Sequence, residues 1–274
     1  MRELPEMVPH RDKGGNVEES LTHSIASVFC PSELRRRGYA SRHMKDILYS
    51  DIGGQFYAGL GCLPRPENRH FVLPPAEMDK PAMAQLVGES ELEALCLRDE
   101  DMIRKVMAAP SAARTRVVIL SSRDHMLWHN RKEDFVTDYI FGKKPHAKNH
   151  HDEVKGHFRN VLYVLRLVVE GDETANKPYE RQLPPLRDAY AEQAAALKTV
   201  LKAAQAEAAA WGLDEVNLWE ASPLMKRLVE KSGLDATWVE RQEDGIACAR
   251  WASEGGDGAD EPPFWLNNEY YAWC

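Results

Sequence analysis

No stretch of this chain approaches the roughly 18 apolar residues that a helix needs to cross a bilayer, so nothing in it reads as a membrane span. The opening residues, MRELPEMVPHRDKGG, lack the apolar core of a secretory signal. Cysteine is scarce as well. The five thiols are odd in number, far apart and form no CxxC pair, which argues against a disulfide framework or a zinc knuckle. A basic excess is also missing. With 35 Lys and Arg against 43 Asp and Glu the formal net charge is -8, a poor match to a protein that binds nucleic acid by neutralising phosphates. These absences lead us to expect a cytoplasmic protein with neither a membrane nor a nucleic-acid partner.

What is present suits a folded enzyme-sized chain. The 274 residues are enough for one large domain or two small ones, and 43% hydrophobic content allows a sizeable core. Residues 1–20 are polar, contain Gly14-Gly15, and read as a loosely ordered lead. Residues 22–30 read as a strand stopped by Pro31, and the pattern turns helical from Tyr39. The stretch DILYSDIGGQFYAGLG has two readings. A helix could run to Asp51 and end at Gly53-Gly54, which the periodicity slightly favours, or a short strand at 47–49 could precede a helix carrying Phe56, Tyr57 and Leu60. The proline-rich CLPRPENRHFVLPP reads as a linker or an extended edge.

Further on, helix and strand signals alternate. ESELEALCLRDEDMIRKVMAAP is an amphipathic helix, RTRVVILSS a strand, and HMLWHNRKEDFVTDYIFG a helix ending at Gly142. NVLYVLRLVVEG is apolar almost throughout, which predicts a central strand covered on both faces. The alanine-rich helix that closes at Gly212 is the strongest in the chain. EVNLWEA follows as a strand, then a helix with Ser222 as cap and Pro223 at its first position. Last come a hairpin turning at Glu243-Asp244-Gly245 and the aromatic tail PPFWLNNEYYAWC. Strands alternating with helices predict an α/β or α+β class with a mixed sheet.

The segment SVFCPSELRRRGYASRHM carries the clearest chemistry. A strand, a turn and then a helix place free N–H groups and the positive end of a helix dipole where an anion can sit. Within that turn Arg35-Arg36-Arg37-Gly38-Tyr39-Ala40 fits (Q/R)-x-x-G-x-(G/A). Gly38 permits close backbone approach, Ala40 keeps the first helical turn small, and the arginines offer charge-assisted contacts. Taken alone the pattern is weak, and a solvated basic turn is its commoner meaning.

Together with ILYSDIGGQFYAGLGC, MLWHNRKEDF, FGKKP, VLYVLRLVVE and WLNNEYYAWC, this loop resembles the GNAT superfamily of N-acetyltransferases. More narrowly, it resembles the fungal lysine-acetyltransferase-like family, named for a yeast lysine N-acetyltransferase, from about residue 20 onward. The resemblance implies a GNAT-like mixed sheet flanked by helices. A partial N-terminal domain, residues 21–75, would bind acetyl-CoA, and residues 80–274 would form a second, GNAT-like domain without its own cofactor loop. Several strands and two helices that the superfamily places ahead of residue 22 have no counterpart in the twenty residues preceding it. The resemblance further implies that Arg35, Arg36, Arg37, Gly38, Tyr39 and Ala40 hold the pyrophosphate of acetyl-CoA. Val28, Phe29 and Cys30 would run along its pantetheine arm.

Tyr57 matches a tyrosine whose phenol protonates the departing thiolate, although a ring packed in the core would explain it equally. The implied reaction is direct attack of an amine, lysine among the candidates, on the thioester, without a metal or a covalent enzyme intermediate. The alternative is a catalytically degenerate CoA-binding or interaction protein that lacks a complete acceptor site. An unpaired edge on strand 22–30 would favour self-association. Three further features stay secondary. His125, His129 and Glu133 share a helical face without an HExxH pattern, the histidines at 146, 150, 151 and 157 read as a solvated loop, and Asp99-Glu100-Asp101 reads as a solvated acidic face.

Overall fold

Prolines and glycines mark many of the element boundaries. The structure, a computed structural model, describes residues 5–11, 17–23, 32–34, 47–50, 53–59, 61–109, 116–141, 159–170, 190–249 and 264–273. Eleven strands and five α-helices lie among them. In chain order the strands are β1 (Pro5–Arg11), β2 (Val17–His23), β3 (Ile47–Ser50), β4 (Leu63–Pro64), β5 (Arg69–Leu73), β6 (Arg116–Val118), β7 (Val161–Val164), β8 (Glu215–Trp219), β9 (Thr237–Glu240), β10 (Ile246–Ala249) and β11 (Phe264–Leu266). The helices are α1 (Gly54–Ala58), α2 (Glu89–Ala108), α3 (Arg123–Phe141), α4 (Ala191–Trp211) and α5 (Pro223–Ser232).

Local chemistry explains most of the helix ends. Glu91 reaches back to the backbone N–H of Gly88 at 3.0 Å at the start of α2. The guanidinium of Arg116 donates to the carbonyls of Val106, Met107 and Ala109 and so satisfies the last turn of the same helix. The Ser222 hydroxyl accepts from the Met225 N–H at 3.2 Å with Pro223 at the first helical position, as the sequence predicted. Gly212 and Gly233 close α4 and α5 at φ 65° and 69°.

The strands form three sheets, in the orders β11-β6-β1-β2, β3-β10-β4 and β7-β8-β5-β9. Their arrangement contains a reciprocal exchange. Strand β3, helix α1 and strands β4 and β5 follow one another in the N-terminal half. Strand β8, helix α5 and strands β9 and β10 repeat that order in the C-terminal half. In each half the last strand leaves its own sheet. Strand β5 inserts antiparallel between β8 and β9, and β10 inserts antiparallel between β3 and β4.

Several sequence expectations change accordingly. The lead is not shapeless, since β1 and β2 pair antiparallel from Pro5↔His23 to Arg11↔Val17. Residues 47–58 follow the strand-then-helix reading, with Gly53 at φ 76° preceding α1. Periodicity could not decide between segments this short. CLPRPENRHFVLPP supplies β5, an interior strand, and Pro64 is tolerated because β4 pairs on one side only among the described residues. The strands on either side of Gly245 make no hairpin, because each finds a partner in the other half. The long apolar segment forms β7 at one end of its described sheet rather than at the centre. Beyond Val164 the C-terminal tail takes over, with the Tyr271 N–H donating to the Leu165 carbonyl at 3.0 Å.

One apolar cluster gathers Phe71, Leu73, Val216, Leu218, Leu201, Met225 and Leu228 between the β7-β8-β5-β9 sheet and α4 and α5. A second joins all three sheets through Tyr49, Val117, Ile119, Trp219, Ala247, Trp265 and Tyr271. The turn between β9 and β10 passes over this second cluster. Gly245 lies at φ 61°, and a Cβ there would overlap the Trp219 indole. Gly245→Ala is therefore expected to cost about 1–3 kcal/mol or more, from backbone strain and overlap together. A thermal melt indistinguishable from that of the parent protein would contradict this packing.

Candidate functional site

The residues assigned to the cofactor, Val28, Phe29, Cys30 and Arg35 through Ala40, lie outside the described residues. Tyr57 lies within them, on α1. Its ring is half-buried, edge-on to Phe56 at 5.0 Å, and packs against Leu48, Cys62, Ile246 and Cys248. Ile246 and Cys248 belong to β10, so the C-terminal half builds part of the wall around this tyrosine. Burial pushes the Cys248 thiol up to about 12, which keeps it protonated and inert.

The point where the two halves exchange strands is polar. Asn68 locks it. The Asn68 side chain donates to the Arg65 carbonyl at 3.0 Å and accepts from the Ala247 N–H at 3.2 Å, while its own carbonyl accepts from the Arg241 N–H at 2.8 Å. Arg65 pairs with Glu220 at 2.8 Å, and Glu220 also accepts from the backbone N–H of Arg69 at 3.1 Å. Burial pushes the Glu220 carboxyl up, against the pull of Arg65 and Arg241. Arg241 lays its guanidinium 3.6 Å from the centre of the Trp219 ring. Among the described residues its buried Nε, Nη1 and Nη2 find no hydrogen-bond partner, and burial lowers its pKa to about 10. Nearby His70, buried in β5 with an unpartnered Nδ1, is lowered to about 4, first by burial and then by Arg241. The same crossing reaches α1, because the Gly53 N–H donates to the Glu243 carbonyl at 3.1 Å.

In the C-terminal half the aromatic tail packs near the ends of two parallel strands. Crevices beyond the carboxyl ends of parallel strands are where α/β sheets usually bind ligands. Strands β7 and β8 are such a pair. Beyond them Tyr270 stacks on Tyr163 at 3.6 Å with rings 1° from parallel, and meets Trp219 edge-on at 4.8 Å. Trp273 and His129 extend the stack.

The tail is anchored by a buried ionic triad. Arg166 makes two bonds to Asp99, at 2.7 and 2.8 Å, and one to Glu269 at 2.9 Å, and the Ser121 hydroxyl donates to Asp99. Asp99 is thus not a solvated acid. It lies on the stripe of α2 that buries Ile103, Val106 and Met107, and its spacing from them was the signal available in the sequence. Glu100 and Asp101 do face outward, paired with Arg104 and Lys105 one turn on. His129 is also committed elsewhere, donating from Nε2 to the Tyr271 carbonyl at 3.0 Å, and burial lowers it to about 4. His125 bonds to Ser122, and no group of three metal-ligating residues occurs among the described residues. Among those residues, too, no helix is long and apolar enough to cross a membrane.

A two-part α/β chain, in which each half completes the sheet of the other, defines the class. Comparison with protein families specifies it further: residues 70–274 match the LYC1 GNAT-like C-terminal domain, and the chain belongs to that family. No curated protein matches it, and no solved structure does either.

The triad generates a pH prediction. Burial raises Glu269 to about 7, against the pull of Arg166, so the fold favours its protonated form relative to the unfolded chain. A raised carboxyl contributes stability that is full below its unfolded pKa of about 4.3 and is lost as pH climbs toward 7. Glu269→Gln mimics the protonated state. The stability of the parent relative to this variant should therefore fall between about pH 4.5 and 7, as read from paired denaturant titrations. A parent that gains on the variant with rising pH would contradict the assignment.

Proposed function

We propose that the protein is an acetyl-CoA-dependent N-acetyltransferase that passes an acetyl group to an amine, with lysine as the acceptor type. The observation carrying this reading is the family match over 70–274 joined to the strand exchange, because β10 of the matched half completes the sheet beside Tyr57. Fold membership alone does not specify chemistry; the residues do.

The donor set of the N-terminal segment suits an anionic pyrophosphate. Arg35, Arg36 and Arg37 supply guanidiniums, and the backbone from Gly38 to Ala40 supplies N–H groups. Main-chain groups of Val28, Phe29 and Cys30 would run beside the pantetheine arm. Bound acetyl-CoA supplies an activated thioester. The amine forms a C–N bond to the acetyl carbon as the C–S bond breaks, the Tyr57 phenol gives its proton to the departing sulfur, and the proton shed by the nitrogen restores the phenol. A half-buried ring held by Leu48, Ile246 and Cys248 keeps that phenol in one place.

Two measurements test the reading. Acetyl-CoA at 100 times its Kd should stabilise the native protein by about 2.7 kcal/mol, visible as a raised Tm. No shift at millimolar acetyl-CoA would overturn cofactor binding. Tyr57→Phe should slow thiol release by about 100-fold or more while leaving the acetyl-CoA shift intact. Stabilisation without thiol release, over a panel of amines, would instead favour a non-catalytic CoA-binding protein.

A further inference from the structure

A run of apolar side chains between β5 and α2 lies outside every core cluster. Met83 and Leu86 are 84% and 89% exposed, and Val87 beside them is exposed as well. On α2 itself Ser90, Ala94 and Leu97 face outward, opposite the buried Asp99, Ile103 and Val106. Contiguous apolar exposure of this kind marks an interaction surface.

The two sets share one pattern. From Met83 the exposed positions 83, 87, 90, 94 and 97 are spaced four, three, four and three residues apart, with Leu86 alongside. Wound as one helix they would fall within a stripe about 100° wide, the seam of a coiled coil. The start of such a helix is already present. Pro81 suits a first helical position, and the Ala84 N–H donates to the Pro81 carbonyl at 2.9 Å. Gly88 interrupts the run, because at φ −81° and ψ 160° it caps α2 instead of extending it backward. A Cβ at Gly88 would meet only ordinary contacts with Glu91 and Ser90, so helix propensity rather than crowding sets the break.

Charge selects the occupant. Beside the stripe, Arg98 is paired with Glu170 and Glu100 with Arg104. That leaves the exposed carboxylates of Glu91 and Glu93, one on each flank. A second copy of this chain would set these acids against their own kind. We propose that residues 81–97 are a docking segment for an amphipathic helix of a partner protein, one whose apolar stripe is flanked by Lys or Arg, and that 81–88 becomes helical on binding. Met83 and Leu86 are its anchors, the flexible thioether adapting to the facing side chains. This surface does not depend on the proposed reaction.

The test titrates the full chain into two labelled three-heptad peptides, followed by fluorescence anisotropy. Both carry Leu at the a and d positions, one with Lys and the other with Glu at e and g. The Lys peptide should bind about tenfold or more tightly than the Glu peptide, and binding should slow amide exchange over 82–87. Leu86→Glu should weaken the Lys peptide by about tenfold or more with the Tm unchanged, because the side chain is exposed in the free protein. Charge attraction alone would make that variant bind more tightly, so the two causes separate. Gly88→Ala should tighten binding about fivefold by extending the helix. Equal affinity for the two peptides, undiminished binding by Leu86→Glu, or unchanged exchange over 82–87 would each overturn the proposal. Self-association of the parent chain that Leu86→Glu abolishes, seen by sedimentation, would give the surface to a second copy and equally overturn it.

Discussion

The reciprocal insertion of β5 and β10 is the constraint on which the rest of this structure depends. Neither three-strand core, β3-β10-β4 or β8-β5-β9, exists without a strand from the other half. Pulling the halves apart would expose both ladders and leave backbone donors and acceptors without partners. Asn68 sits where the two strands cross and bonds to both connections. A small amide suits that place, because it offers a donor and an acceptor from one buried position. The same exchange brings residues from opposite ends of the chain around Tyr57 and around Arg241.

Polar groups buried at the exchange and under the tail serve different ends. The Asp99–Arg166–Glu269 triad joins α2, the continuation of β7 and the C-terminal tail, and each of its charges is paired. Buried ion pairs add little net stability over apolar packing, yet losing one member costs about 3–5 kcal/mol. The triad therefore acts mainly to hold the tail in a single position, with Tyr270 stacked on Tyr163. Arg241 is the contrasting case, a buried cation without an acceptor among the described residues.

Much of the local structure was legible in the sequence because it depends on neighbours along the chain. The stripe of α2, the cap at Ser222, the alanine-rich α4 and its closure at Gly212 all follow from side chains within a few turns. The family relation was legible for the same reason, since it is carried by contiguous motifs. Tyr57 could be named, but the contribution of Ile246 and Cys248 to its surroundings could not, because about 190 residues of sequence intervene. Asp99 was misread as solvated because its charge outweighed its place on the apolar stripe, and its partners Arg166 and Ser121 are distant in sequence. Arg241 carried no sequence signal, being a single basic residue ahead of an acidic turn.

Strand pairing was decided at the tertiary level. By itself the sequence determined where helices begin and end, that strands alternate with them, and that the turn at Gly245 reverses the chain. It could not determine that the strands flanking that turn would part. A hairpin signal speaks for the nearest available partner, whereas pairing energy depends on which edges are free once the core has formed. Here the free edges belonged to the opposite half. The tertiary structure alone therefore set the exchange, the buried triad, and the company of Tyr57 and Arg241, because each depends on contacts between residues that only the folded chain brings together.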